Sequence, residues 1–159
     1  MVVIEKKSLK VGKFVNTDHV DTVIRTYKQE RWVHNSERLG KKDSLSVWHS
    51  IEELEELIAK AKENGGDGIR FYFAAYPKDY TGQPLYAGRQ TIVMVATKQK
   101  ETEKGLANKD IYINTENGTE ILAFNSGVMC PPYCGPRDND DNSLGITIVD
   151  KGQNGLAIV

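Results

Sequence analysis

"SIEELEELIAKAKENGGDGIRFYFAAYP", Ser50 to Pro77, holds an amphipathic helix, a glycine stop and an aromatic strand in one run. Ser50 is a good N-cap and Glu53 stands three residues on, so the hydroxyl can accept from the Glu53 amide while the carboxylate reaches back to the Ser50 amide. Ile51, Leu54, Leu57, Ile58 and Ala61 form the apolar stripe. Glu52, Glu56, Lys60 and Glu63 take the wetter side, with Glu56 and Lys60 as an i,i+4 pair. Gly65 and Gly66 permit the left-handed backbone that ends a helix. "GIRFYFAAYP" is then strand-like, rich in aromatic and β-favouring residues, and ends at Pro77, which has no N–H to give a ladder. Ile69, Phe71, Phe73 and Ala75 point one way along it; Arg70, Tyr72, Ala74 and Tyr76 point the other.

Working outward, "RQTIVMVATK" alternates Ile92, Met94 and Ala96 against Thr91, Val93, Val95 and Thr97. Both faces of both strands carry apolar groups, which predicts central strands covered on each side. The connection "KDYTGQPLYAG" suits an antiparallel pair but is too long for a tight hairpin. "DIYIN", "EILAF", "LGITIVD" and "GLAIV" read as shorter strands. Upstream, "LSVW" is a short strand, and its order with the helix and "IRFYF" predicts a right-handed parallel crossover. "NTDHVDTVIRTYKQERW" sets Val20, Val23, Ile24 and Tyr27 on one helical face with Asp18 and Asp21 at its positive end. "VHNSERLGKKDS" loses that period, gathers turn formers and reads as an exposed connection. The expected fold is α+β: a single domain over residues 1–159, with a mixed, largely antiparallel sheet centred on 69–76 and 90–97, covered by two main helices near 17–31 and 51–64.

A chain of 159 residues suits one domain around one core. Its net charge of -1 lacks the field that steers a protein to nucleic acid or an anionic membrane, so neither is an expected partner. "MVVIEKKSLKVGKF" has no apolar run of signal-peptide or membrane-spanning length, and none follows. The chain therefore reads as soluble and cytoplasmic, where thiols stay reduced and "NGT" at Asn117 is no glycosylation acceptor.

"CPPYC" spaces Cys130 and Cys134 as one turn of a zinc site would, since two thiolates with three residues between them can face one ion. Two further ligands are needed, and His19, His34 and His49 are not spaced to supply them. Zinc on Cys130 and Cys134 is thus the one cofactor the sequence admits; the plainer reading is a proline-stiffened loop. Pro131 and Pro132 restrict the backbone, so free thiols are expected rather than a disulfide. A thiol oxidoreductase would set its pair at a helix N-terminus, which these prolines argue against. "DNDDNS" starts like a calcium loop, but Ser143 stands where the glycine belongs and Val149 where the glutamate belongs, which leaves a solvated acidic loop. There is no G-x-S-x-G, no H-E-x-x-H and no phosphate loop; "NGGDG" follows a helix and precedes a strand, the reverse of the order that aims a helix N-terminus at phosphate. On one face of the aromatic strand Arg70, Tyr72 and Tyr76, joined by Arg89 from the next strand and by His49 beside Trp48, form a candidate site for an anionic or planar ligand. The plainer reading is an arginine paired with a carboxylate of the covering helix and tyrosines that are core with wet tips.

Together "DSLSVWHSIEELEELI", "DGIRFYFAAYP", "TIVMVATK" and "CPPYC" resemble a family of small bacterial proteins with no known activity. The resemblance covers the middle and the C-terminal third of the chain. It implies a shared fold, and the joint occurrence of the strand motif and the cysteine turn makes their proximity in the fold a point to test. With no catalytic constellation visible, the expected function is a non-enzymatic binding or accessory module for a protein or small-molecule partner. Two alternatives stand beside it: a zinc-stabilised module on Cys130 and Cys134, and a small enzyme with a pocket near Arg70, Tyr72, Tyr76 and His49.

Overall fold

The computed structural model describes residues 10–134 and the strand backbones at 148–150 and 156–158. The acidic loop at 138–143, read above as the front of a calcium loop, lies outside the described residues. In chain order the elements are α1 (Thr17–Tyr27), a π-turn (Lys28–Trp32), α2 (Val33–Leu39), β1 (Ser46–Trp48), α3 (Ile51–Glu63), β2 (Gly68–Ala75), a 3₁₀ turn (Pro84–Tyr86), β3 (Gln90–Thr102), β4 (Gly105–Asp110), β5 (Tyr112–Thr115), β6 (Gly118–Ile121), β7 (Ala123–Phe124), β8 (Val128–Cys130), β9 (Ile148–Asp150) and β10 (Leu156–Ile158). The class is α+β, as expected. The strand registers, β1 with β8, β3 with β4 and with β7, β5 with β6, and β9 with β10, are all antiparallel.

The chain divides into two compact units, one built on 51–71 and 94–124, the other on 15–50, 72–93 and the chain from Asn125. In the first, Leu57 and Ala61 of α3 are buried, and Ala61 joins Ala96 and Leu122 in a cluster flanked by Ile69, Ile111 and Ile113. Alanine at both 61 and 96 lets the helix approach the strands closely, so the small residues serve packing here. The helix stops as its glycines predict: Gly65, at φ +79°, donates to the Lys62 carbonyl at 3.0 Å, and Gly66 donates to the Ala61 carbonyl at 2.7 Å.

In the second unit Asn16 accepts the His19 N–H at 2.9 Å and starts α1. The helical backbone then continues where a loop was expected. It runs through the π-turn into α2 and ends at Gly40, whose φ of +72° is the left-handed stop. The apolar period fails over 33–39 because this helix end lies beside a polar cluster instead of a greasy core. Buried Trp32 donates Nε1–H to the Asp43 carbonyl at 2.7 Å, Asn35 donates to the Asp43 carboxylate at 3.2 Å, and the Ser36 hydroxyl accepts the Asp43 N–H at 2.9 Å. Tyr76, Tyr86 and Met129 form an apolar cluster with Val47, Tyr80 and Tyr133.

Two further expectations are corrected. β1 does not join β2 in a parallel crossover; it pairs with β8, a strand that "GVMC" had not signalled, as Ser46↔Cys130 and Trp48↔Val128. β2 is not covered on both faces either. Its sheet runs in the order β2-β3-β4, so among the described residues β2 has one strand neighbour, and Phe71, Tyr72 and Phe73 are 57%, 40% and 84% exposed.

Candidate functional site

The residues expected to bind a ligand are distributed differently from the sequence reading. Arg70 belongs to the first unit, where its guanidinium meets the Asp110 carboxylate at 2.7 Å and the Asn108 carbonyl at 2.7 Å. Its carboxylate partner comes from β4 and not from a covering helix. Tyr72, Tyr76, Arg89 and His49 all belong to the second unit. Tyr72 is exposed, while Arg89 is buried. Tyr76 is buried too, its hydroxyl donating to Asn125 Oδ1 at 2.7 Å, and Asn125 Nδ2 in turn donates to the Ile92 carbonyl at 2.9 Å. His49 is half-buried where β1 and β8 meet: a Cβ on Gly127 would stand 2.6 Å from its Nε2.

Of these only Tyr76 lines the cleft that the second unit presents. This cleft, about 560 Å³, is lined by residues 73–75 of β2 with Tyr76 just past its end, by Asn35 and Arg38 of α2, and by Asp43, Gln90 and Lys78. Each wall has a local cause. Asn35 and Arg38 fall three residues apart on α2 and so share a face. Asp43 is held rigidly, because its Oδ1 accepts the Gln90 N–H at 2.7 Å and the Ser44 N–H at 2.8 Å. Gln90 is fixed from both ends: its carbonyl accepts the Ser44 hydroxyl and its side-chain oxygen accepts the Tyr27 hydroxyl. Burial, with the Asp43 charge adding to it, holds the Tyr27 phenol above its ordinary value, so the hydroxyl stays a donor.

The cleft therefore has one carboxylate among its lining residues, already committed to three hydrogen bonds, and two exposed cations, Arg38 and Lys78. Its volume is in the range of small-ligand sites, roughly 300–1,000 Å³. An arginine fork and an ammonium set against aromatic and aliphatic walls can hold an anion that carries apolar or planar surface. Sequence reading missed Asn35, Arg38 and Asp43 because residues 33–44 read as a loop, and Lys78 because it opens the connection "KDYTGQPLYAG". The usable signal was the i, i+3 spacing of Asn35 and Arg38, visible once the helix is carried past Trp32.

The cysteine turn is also corrected. Cys130 and Cys134 form a disulfide, with Cα atoms 4.7 Å apart, instead of two free thiols. The backbone bond from Tyr133 N to the Met129 carbonyl, 2.9 Å, closes the turn and carries Cys134 back over Cys130. The Cys130–Pro131 and Pro131–Pro132 peptide bonds are cis. Sulfurs bonded to each other are not thiolate ligands, so the expected zinc pair does not describe this state. Among the described residues there is no group of three or more His, Cys, Asp or Glu placed to hold a metal ion. From the turn, Tyr133 meets Tyr86 edge-on at 5.9 Å between ring centroids, and Tyr86 stacks on Tyr76, just past the end of β2, at 5.8 Å.

Among the described residues no helix is long and apolar enough to cross a membrane. Comparison with protein-family models, with curated proteins and with solved structures finds no match.

Proposed function

We propose that this protein is a non-enzymatic binding module whose second unit takes an anionic ligand with apolar or aromatic surface into the cleft between α2 and β2. The carrying observation is the pairing of exposed Arg38 and Lys78 with an apolar wall, around a carboxylate already accepting three hydrogen bonds. An anion entering there meets two cations and no uncommitted carboxylate of the lining. The buried bonds of Asp43 and Gln90 keep the walls in place before the ligand arrives, which lowers the ordering cost of binding.

Anilinonaphthalene sulfonate, an aromatic anion whose fluorescence rises on desolvation, tests this reading. The folded protein should bind it with an affinity that falls as salt is added, because the charged contacts are exposed and screened. Combined Arg38→Glu and Lys78→Glu should weaken binding about tenfold, roughly 1.4 kcal/mol. Affinity unchanged by the double charge reversal, with the melting curve intact, would remove the cleft as the site.

A further inference from the structure

We propose that the natural ligand of this cleft is a nucleoside 5′-phosphate, its base stacked on Phe73 and its phosphate held by Arg38 and Lys78; this rests on the reading of the cleft as an anion site. The lining has two chemically different ends. At one, Leu39 and the Lys78 stem flank Gly88: a Cβ on that glycine would stand 2.9 Å from Leu39 Cδ2 and 3.9 Å from Lys78 Cγ. Arg38 directly precedes Leu39, so both cations of the lining belong to this end, and both are exposed. At the other end Asn35, a turn earlier on α2, donates to Asp43, and Asp43 accepts the Gln90 N–H.

The polar end has one acceptor and one donor to offer a ligand. A carboxylate accepts at about four positions. Asp43 Oδ1 takes the Gln90 and Ser44 N–H groups and Oδ2 takes Asn35 Nδ2, which leaves a position on Oδ2. Gln90 Oε1 accepts the Tyr27 hydroxyl, so what this amide retains is its Nε2 donor. The same hydroxyl is hydrogen-bonded to Asn35, which ties the Gln90 amide to the Asp43 carboxylate. An acceptor and a donor held together complement the edge of a nucleobase, where an N–H stands next to a carbonyl or a ring nitrogen. An amino acid matches less well, because its ammonium brings three donors to one acceptor and meets the Gln90 N–H. Phe73, 84% exposed and part of the lining, supplies a ring face on which a base can stack. At the cationic end a phosphate, with a charge of roughly −1.5 to −2, uses both Arg38 and Lys78, whereas a single carboxylate needs only one of them.

The probes are the four common nucleoside 5′-monophosphates, the corresponding nucleosides and ribose 5-phosphate, titrated by calorimetry and by displacement of anilinonaphthalene sulfonate. At least one nucleotide should bind about tenfold or more tightly than both ribose 5-phosphate and its own nucleoside. Phe73→Ala, at an exposed position, should weaken that nucleotide about tenfold and leave ribose 5-phosphate unchanged, a pattern that misfolding would not produce. Arg38→Glu with Lys78→Glu should remove the preference for nucleotide over nucleoside while the nucleoside still binds. If ribose 5-phosphate binds as tightly as every nucleotide, or Phe73→Ala changes nothing, recognition of a base is overturned. Protein that binds anilinonaphthalene sulfonate but none of the nucleotides overturns the ligand class and leaves the anion site standing. Failure to bind the sulfonate as well overturns both.

Discussion

Asp43 is 2% exposed and organises the polar cluster of the second unit, with its carboxylate accepting from Gln90, Ser44 and Asn35 and its carbonyl accepting from Trp32. Removing the carboxylate strands several buried donors at once. Asp43→Ala is expected to cost about 3 kcal/mol, read as a shift in urea midpoint, while Asp43→Asn, which keeps one acceptor oxygen, should cost less. A loss below about 1 kcal/mol for the alanine variant would mean the cluster is not structural. Tyr86 makes a second prediction, in alkali. Burial raises its phenol above the ordinary value of 10.0, so the folded state keeps the proton longer than the unfolded chain does. That stabilisation is fully present below pH 10.0 and is lost as pH rises through the folded value. Tyr27 shifts in the same direction; Lys28, lowered by burial and then by Lys42, acts oppositely and gains stability as pH climbs toward 10.5. Tyr86→Phe should therefore lose stability less steeply above pH 10.0 than the wild type in denaturant melts, and an unchanged slope would assign the alkaline loss elsewhere.

At the scale of elements, the junction of β1 and β8 depends on one missing side chain. A Cβ on Gly127 would lie 2.5 Å from Val47 Cγ1 and 2.8 Å from the Trp48 carbonyl oxygen, closer than real contacts allow. The strands would have to part. Gly127→Ala is expected to destabilise by about 2 kcal/mol, with exchange quickened at the β1 and β8 amides, whereas a neutral change would show that the pair has slack. The same junction explains why β8 was not legible. "GVMC" offers three strand residues beside a proline turn, too short to show a period of two, and it becomes a strand because Leu45 N–H and the β1 register reach it from 80 to 85 residues upstream. By contrast α3 was readable to within a residue, because its stripe, its charged side and its glycine stop are all local.

At the scale of the whole molecule, the disulfide is the feature with a direct mass readout. Alkylation of denatured, unreduced protein should add no label, and the intact mass should be two hydrogens below that of the reduced chain. Two added labels in freshly lysed cells would return the turn to the reduced form expected from the sequence. In the chain-entropy account a closed loop this short contributes about 2 kcal/mol, so Cys134→Ser should lower the melting temperature by several degrees. The two cysteines also enclose part of a core of their own, packed by Ile24 and Leu45, so some of that loss would come from packing.

Local chemistry was enough to place the helices from Thr17 and from Ile51, the strands read at 69–76 and from 90, the second of which runs on to Thr102, and the α+β class, because each is written in a short period. The cleft was not. Its residues come from α2, from the Asp43 turn, from β2 and from Lys78, and the turn is tied to the start of β3 by the Gln90 N–H on Asp43 Oδ1, forty-seven residues away. Whether Tyr76 is core or ligand contact and whether β2 is central or an edge are likewise set by long-range hydrogen bonds and strand neighbours, which no window of the sequence contains.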